Sequence, residues 1–115
     1  MNRPKDIEAE ITFIPTEHGG RHGPAFNDYR PQFYYAGHDW DAPQEFPDVQ
    51  QVNPGDTVRA FLCFLSPDEH AGKVKPGMAF LVREGAKIVA YGSVTRLIDL
   101  EASAAAARAR AKGAG

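Results

Sequence analysis

The sequence predicts an all-β protein, a single antiparallel β-barrel of about six strands with a short Ala-rich C-terminal tail. The chain has 115 residues, the size of one domain. Short segments rich in β-forming residues recur along it, and Gly and Pro turns separate them. No window before Leu97 shows the apolar period of a helix.

The first predicted strand covers residues 7–13, where apolar and polar side chains alternate. This period is typical of a strand with one buried and one wet face. Pro15 ends the strand, and residues 16–27 have the Gly, His and Pro composition of a long exposed loop. The second predicted strand is 29–35, where Pro31 indicates a sheet edge or bulge because proline has no amide donor.

A second polar loop ends at Pro43, and residues 46–52 are predicted to form a weak third strand. Pro54 and Gly55 predict a type II turn, because Pro54 presets the first central φ and Gly55 supplies the positive second one. Residues 57–65 are apolar on both alternating faces. We therefore expect them to form a strand near the centre of the sheet that is buried on both sides.

After a loop over residues 66–77, the segments 78–83 and 87–97 form a predicted hairpin. Its turn has Gly85 first and Ala86 second. Because a Cβ disfavours positive φ, we expect a type II′ turn with positive φ at Gly85 and not at Ala86.

The composition changes to alanine near the end of the chain. We assign residues 1–100 to the barrel and 101–115 to an Ala/Arg-rich tail. Its alanines favour a helix, but a lone helix of this length is marginal in water. We expect the tail to be a frayed helix or disordered.

The charge is unevenly distributed. The net charge of −2 combines residues 1–101, with 10 basic and 15 acidic side chains, and a tail that carries Arg108, Arg110 and Lys112 and no acid. An acidic barrel repels a phosphate backbone, which excludes non-specific nucleic-acid binding by the barrel.

Cysteine content and length restrict the class of protein further. Cys63 is the only cysteine, so an intrachain disulfide is excluded and nothing indicates a secreted, oxidised scaffold. The chain is too short for a complete doubly wound nucleotide-hydrolysing enzyme. It begins without a signal-peptide pattern and has no membrane-spanning segment, so we expect a cytoplasmic protein with no membrane partner.

Four segments occur in an order and spacing that resemble a known family. They are HGGRHGP (18–24), YRPQFYY (29–35), NPGDTV (53–58) and GMAFLVREGAKIVAYGSV (77–94). Together they resemble the third, C-terminal domain of translation elongation factor Tu over residues 7–97. In that family the domain is an antiparallel β-barrel without an active site. It packs against a GTPase domain, holds the T arm of aminoacyl-tRNA and touches the exchange factor Ts.

The resemblance implies a free-standing copy of this binding surface. No GxxxxGK[ST] loop is present, so we expect no GTPase cycle, no enzymatic activity and no cofactor. Arg30 and Gln32 match family positions at the surface between tRNA and the GTPase domain, and the hairpin tip matches positions near the tRNA backbone. The candidate partner or tRNA surface comprises Arg30, Gln32, Asp41, Arg83, Glu84 and Gly85, together with the loop residues His18, Gly19, Gly20, Arg21 and His22.

Departures from the family pattern weaken the RNA interpretation. Where the family has FRTTDVTG, residues 35–42 are YAGHDWDA. Ala36 replaces an arginine and Asp41 replaces a threonine, so a cation is lost and a carboxylate gained beside the expected phosphate path. His18 stands where the family has glutamate. The loop over residues 66–75 departs completely from the family.

Other candidate sites have plainer explanations. His18 and His22 in one loop, with His38, Asp39 and Asp41 in another, would hold a metal only if the fold brought the loops together, and exposed loop histidines are the commoner case. Cys63 lies on a strand that looks buried, where thiols are inert.

The Trp40 side chain is expected either to fill part of the core or to anchor an interface. The aromatic side chains of residues 29–35 could stack bases, but alternating members of a barrel strand fill its interior.

Two classes of function follow. The first is a non-catalytic binding module that presents a Tu-like surface to a protein of the translation machinery, such as a GTPase or an exchange factor. The second is a tRNA-binding module that uses Gln32, Glu84, Gly85 and the basic tail. A small metal-dependent enzyme is a minor alternative. The charge changes favour the first class, because all of them oppose phosphate contact.

Overall fold

The computed structural model describes residues 3–114, which contain nine β-strands, two short 3₁₀ helices and one α-helix. The strands are β1 (Ile7–Phe13), β2 (Ala25–Phe26), β3 (Gln32–Tyr35), β4 (His38–Asp41), β5 (Gln44–Glu45), β6 (Gln51–Val52), β7 (Thr57–Leu62), β8 (Ala79–Glu84) and β9 (Lys87–Leu97). The 3₁₀ helices are Thr16–His18 and Pro67–Glu69, and the α-helix is α1 (Leu100–Ala114).

Seven strands form one antiparallel sheet in the order β4-β3-β8-β9-β1-β7-β5, while β2 pairs with β6. The outermost strands β4 and β5 are consecutive in the chain, joined through Ala42 and Pro43. The amide of Cys63 donates to the Pro43 carbonyl at 3.1 Å, and the amide of Leu65 donates to the Asp41 carbonyl at 3.2 Å. This link brings the two ends of the sheet together, so the sheet curls into a barrel as the sequence predicts.

Alternate side chains of the strands fill the barrel. Ile7, Ala9, Ile11 and Phe13 on β1 are at most 1% exposed, which confirms the period of two predicted for this strand. Across the interior, Phe33 stacks on Phe80 with ring centroids 4.3 Å apart and meets Phe64 edge-on at 5.0 Å. Offset and edge-on aromatic pairs of this kind stabilise a core beyond their buried area.

Both turn predictions are confirmed. Gly55 has φ +97°, and the amide of Asp56 donates to the Asn53 carbonyl at 3.0 Å, closing the turn. Gly85 has φ +61°, whereas among the described residues other than glycine only Asp28 and Ala36 have positive φ. Ala86 therefore avoids the left-handed region, as expected for a turn with glycine first.

The strand predicted at residues 57–65 is shorter and less buried than expected. β7 ends at Leu62 and pairs with β1 and the two-residue β5, so it lies beside the end of the sheet order. Its outer face is in contact with solvent: Arg59 is exposed and Phe61 is half-buried. Lys5 and Arg59 cover the Phe61 ring at 5.5 and 5.4 Å from its centroid. Cationic side chains therefore cover an apolar residue that the sequence assigned to a second buried face.

The region between residues 29 and 52 also differs from the prediction. The aromatic strand begins at Gln32, the weak strand over 46–52 shrinks to Gln51–Val52, and β4 occupies a segment predicted as loop. A tight turn creates β4: Ala36 has φ +49° and Gly37 has φ +82°, the pattern of a type I′ turn. Alanine carries no sequence signal for this turn, which explains the missed strand.

The C-terminal segment is a continuous helix whose first half is docked, where the sequence favoured a frayed helix or disorder. Leu100 and Ala104 are fully buried. The Ser103 hydroxyl donates to the buried carboxylate of Asp6 at 2.5 Å, and the Phe64 amide donates to the same carboxylate at 2.8 Å. Burial raises the pKa of Asp6, while these hydrogen bonds act in the opposite direction.

The loop that departs from the family packs beside α1 around a buried histidine. His70 is fully buried, with its ring 4.2 Å from the Phe64 ring and 4.6 Å from the Trp40 ring. Its Nδ1 lies 2.7 Å from the Tyr35 hydroxyl. Trp40, for which the sequence left two roles open, is half-buried and packs against this histidine. Burial lowers the pKa of His70 to about 4, and Lys73 acts in the same direction.

Replacing Ala36 by asparagine should stabilise the fold. Ala36 holds a Cβ at φ +49°, and asparagine before glycine is the preferred pair for a type I′ turn. We expect Ala36→Asn to raise the free energy of unfolding by about 1 kcal/mol, which is about 4 °C in Tm. Urea unfolding measures this, with Ala86→Asn as the matched control at a position without positive φ. A gain of equal size in the control would contradict the explanation.

Stability should fall in acid because of His70. Its folded pKa is about 4 against an ordinary value of 6.5, so the unfolded chain binds more protons between these values. The contribution of neutral, buried His70 to the free energy of unfolding is fully present above pH 6.5. About 1–3 kcal/mol of this free energy is lost as the pH falls toward 4. Asp6, whose folded pKa is raised, stabilises the fold more as the pH falls. Because Asp6 is present in both the wild type and His70→Gln, its effect cancels in the difference between them. His70→Gln should flatten the difference in unfolding free energy across this window, and an unchanged profile would refute the assignment.

Candidate interaction surface

The sheet places three of the predicted surface residues side by side. Gln32 pairs in register with Asp41 on one neighbouring strand and with Arg83 on the other. The Gln32 side-chain amide donates to an Asp41 carboxylate oxygen at 2.6 Å. Phe33, the residue after Gln32 on β3, is buried in the core. Because neighbouring side chains of a strand point to opposite faces, Gln32 lies on the outer face of the barrel.

Arg83 is held flat against this outer face. Its guanidinium lies 4.8 Å from the centroid of the Tyr34 ring, and its Nη1 is 3.5 Å from a carboxylate oxygen of Asp39. Its Nε is buried and has no hydrogen-bond partner in the described residues. The side chain is thus fixed by stacking and by one ion pair.

A second cluster joins the HGGR loop to the tip of the β8–β9 hairpin. The Arg21 guanidinium and the Tyr29 hydroxyl both donate to the Glu84 carboxylate. Arg21 also stacks over the Tyr29 ring at 4.8 Å and donates to the carbonyls of Gly23 and Pro24, each at 3.2 Å. Burial raises the pKa of Tyr29, and the hydrogen bond to Glu84 raises it further. Segments far apart in sequence therefore form one rigid corner of the surface.

The two glycines of this loop are there for different backbone reasons. Gly19 has φ +96° and ends the first 3₁₀ helix. Gly20 lies against the β1–loop junction, where a Cβ would stand 1.8 Å from the Ile14 carbonyl oxygen. Both positions therefore require glycine. The neighbouring His18 and His22 side chains are exposed.

Arg30 stands apart from the first two clusters and is exposed. Its Nη2 lies 3.5 Å from a carboxylate oxygen of Asp28, and Arg3 binds the other oxygen of that carboxylate at 2.9 Å. Gly85 is exposed at the hairpin tip. The structure therefore divides the predicted residues among three separate clusters.

An apolar strip on the same face was not recognised from the sequence. Leu81 pairs with Tyr34 on one side and with Tyr91 on the other. Ile88 pairs with Arg83 across the bulge and is 42% exposed, while Tyr91 is 52% exposed. We call Tyr34, Leu81, Ile88 and Tyr91 the apolar strip. The sequence does hold a signal for this strip, which is the alternation of side chains along a strand. Leu81 and Tyr91 are sequence neighbours of the buried Phe80, Val82 and Ala90 and so lie on the opposite face.

The cations of this surface are engaged in ion pairs within the chain. Arg21 pairs with Glu84, Arg30 with Asp28 and Arg83 with Asp39. Lys87 at the hairpin tip is exposed and forms no ion pair with another residue in 3–114. The surface thus has little free positive charge and an uncovered apolar area.

The alternative metal site would need the two histidine-bearing loops to lie close together, and the alternative thiol site would need a reactive Cys63. Within the described part of the chain, no group of three or more His, Cys, Asp and Glu side chains could hold a metal ion. Within residues 3–114, His18 and His22 therefore form no such group with His38, Asp39 and Asp41. Cys63 is buried, and burial raises the pKa of its thiol, which disfavours the reactive thiolate.

No helix within residues 3–114 is both long and apolar enough to cross a membrane.

Comparison with known families gives a match over most of the chain. The family model described as "Elongation factor Tu C-terminal domain" matches residues 1–98. The matched segment contains the whole barrel and all three clusters of the candidate surface. It ends two residues before α1 begins.

Removing the Glu84 carboxylate should free the HGGR loop. Glu84→Ala deletes the acceptor shared by Arg21 and Tyr29. We expect tryptic cleavage after Arg21 in the folded protein to become about fivefold faster, as for the loss of a partly exposed ion pair. Glu17→Ala, which removes an exposed carboxylate from the same loop, is the control and should leave the rate unchanged. Equal rates for wild type and Glu84→Ala would show that this cluster does not hold the loop.

Proposed function

The chain belongs to the elongation factor Tu C-terminal domain family, and on that premise we propose that it is a non-catalytic binding module whose outer sheet face docks on a protein of the translation machinery. The family is one of translation-factor domains without catalytic activity of their own. The proposed partner is a translation GTPase or its exchange factor, and the proposed place of action is the cytoplasm.

The ion pairing of the surface arginines carries this proposal. A nucleic-acid backbone is bound mainly by cations that exchange counterions for phosphate contacts. Arg21, Arg30 and Arg83 each already bind a carboxylate of the same surface. Phosphate contact would have to break these pairs beside the remaining carboxylates, so a protein partner is favoured over RNA.

The apolar strip supports the same partner class. Protein interfaces concentrate aromatic and aliphatic side chains at their centre and keep polar groups at the rim. Tyr34, Leu81, Ile88 and Tyr91 form such a centre, and the Gln32–Asp41 pair lies beside it. Because Arg83 stacks on Tyr34, an arginine is also preorganised next to the strip.

A tRNA-binding module remains the second candidate, because some cations are free. Lys87 stands at the hairpin tip, and Arg108, Arg110 and Lys112 are exposed on α1. None of these four is in an ion pair with another described residue. Phosphate binding by this protein would therefore use the tip and the helix, and it would depend steeply on salt.

Charging the apolar strip should abolish docking on a protein partner. We expect Leu81→Asp to weaken binding to a translation GTPase or its exchange factor by at least about tenfold, because a carboxylate would be buried without a partner at the centre of the interface. Calorimetric titration of the purified proteins measures this. Val49→Asp, at a 40% exposed apolar residue in the loop before β6, is the matched control and should bind as wild type.

Titration with tRNA at low and high salt is the companion measurement. The proposal predicts no binding at physiological salt. Binding to tRNA that survives Leu81→Asp and is lost in Lys87→Glu, with no binding to the GTPase or exchange factor, would replace the protein-docking function by the second candidate.

A further inference from the structure

The second half of α1 is exposed to solvent. Leu100 and Ala104 anchor its first turns in the core, but every residue from Arg108 to Gly113 is exposed. The molecule is accordingly elongated, 49 Å along its longest axis against 29 and 25 Å for the others. A short helical segment without tertiary contacts is marginal in water, so this half of α1 gains stability from any partner that covers it.

Charge is polarised along the exposed face of this helix. Glu101, Ala105, Arg108 and Lys112 follow the spacing that places residues on one side of a helix. At its base, the exposed Asp68 and Glu69 of the second 3₁₀ helix pack beside α1 and add to the charge of Glu101. We call these three acids the base and the two cations of this face, Arg108 and Lys112, the tip, because Arg110, nine residues after Glu101, lies on the opposite side of the helix. No base or tip residue is in an ion pair with another residue in 3–114.

We infer that the occupant of this face is the α1 helix of a second copy of this chain, packed antiparallel in a two-fold symmetric dimer. In an antiparallel pair, the base of each copy lies beside the tip of the other, so symmetry forms the favourable contact twice. The helix dipoles also oppose each other favourably. A parallel pair would place like charges together at both ends.

The surface between base and tip suits a close helix pair. Ala102, Ala105 and Ala109 lie between the charged groups and allow the two backbones to approach. Next to them is a groove of about 550 Å³ between α1 and the barrel, with Leu65, Pro67 and Ala106 in its walls. Leu65 is 50% exposed, so the second copy would also cover apolar surface there.

An acidic base on the same face disfavours a nucleic acid as the occupant. A phosphate backbone would gain from the tip but would be repelled by Glu101 on the same face and by Asp68 and Glu69, whose 3₁₀ helix packs beside α1. The helix of a second copy satisfies both ends at once. One pair of short helices buries less surface than a standard interface of about 1,600 Å², so we expect a dimer with a micromolar dissociation constant that weakens with salt.

Charge reversal tests the inference without relying on one variant. The tip-reversed variant is Arg108→Glu and Lys112→Glu, and the base-reversed variant is Asp68→Lys, Glu69→Lys and Glu101→Lys. Sedimentation equilibrium of the full chain at about 10 µM to 1 mM should show a wild-type dimer and at least about tenfold weaker self-association of each variant. Glu17→Lys with Lys87→Glu, which reverses exposed charges elsewhere, should leave the dimer intact.

Mixing the two variants provides the decisive measurement. The tip-reversed variant is acidic at both ends and the base-reversed variant is basic at both ends, so each repels itself and only the heterodimer is complementary. The equimolar mixture should therefore regain wild-type association. Circular dichroism of each variant checks that α1 is still helical. A monomeric wild type at 1 mM, a dimer insensitive to both reversals, or a mixture that stays monomeric although both variants keep their helix would each overturn the inference. So would tip reversal that changes tRNA binding and leaves self-association unchanged.

Discussion

Two backbone hydrogen bonds hold the two ends of the sheet together, one from Cys63 to the Pro43 carbonyl and one from Leu65 to the Asp41 carbonyl. They depend on the short link that carries the chain from β4 to β5 without a separate loop. Trp40 on β4 and Phe64 just after β7 both pack against the buried ring of His70, so this closure also positions the histidine. The divergent loop can then cover this end of the barrel and support α1. A single chain crossing therefore organises both the core and the part of the molecule outside the family match.

Electrostatics distinguish two surfaces of this protein. On the outer sheet face, each of the three arginines is neutralised by a nearby carboxylate, and stacking on tyrosine rings fixes two of them. Such a face presents shape and apolar area more than charge. Along α1, by contrast, the charges are separated by sign and remain unpaired within the described chain. The first arrangement suits a protein partner of fixed shape, and the second suits a partner with the opposite polarity along its length.

Local patterns predicted the parts of the fold that depend on local backbone chemistry. Alternation identified β1, and the glycines at positions 55 and 85 identified their turns, because φ sterics act within a few residues. The turn at Ala36 was missed because an alanine with positive φ has no sequence signature. The sequence predicts more burial for β7 than the structure shows, because the cations that cover Phe61 are Lys5, from before β1, and Arg59 on β7 itself. For the candidate surface, the family motifs supplied the candidate residues, whose role stays a prediction, but neither the Arg21–Tyr29–Glu84 cluster nor the apolar strip followed from them.

By itself the sequence determined the all-β class, the family resemblance, and the division between an acidic barrel and a basic C-terminal segment. These properties follow from composition, short-range sterics and motif order, which do not require knowledge of distant contacts. Only the tertiary structure decided that the last segment docks as a helix, since its anchor is a hydrogen bond from Ser103 to Asp6 at the other end of the chain. The same holds for the surface arginines, because ion pairing is set by which carboxylate the fold places within reach. Burial and pairing are properties of three-dimensional neighbours, and in this protein they decide which surfaces are free to bind.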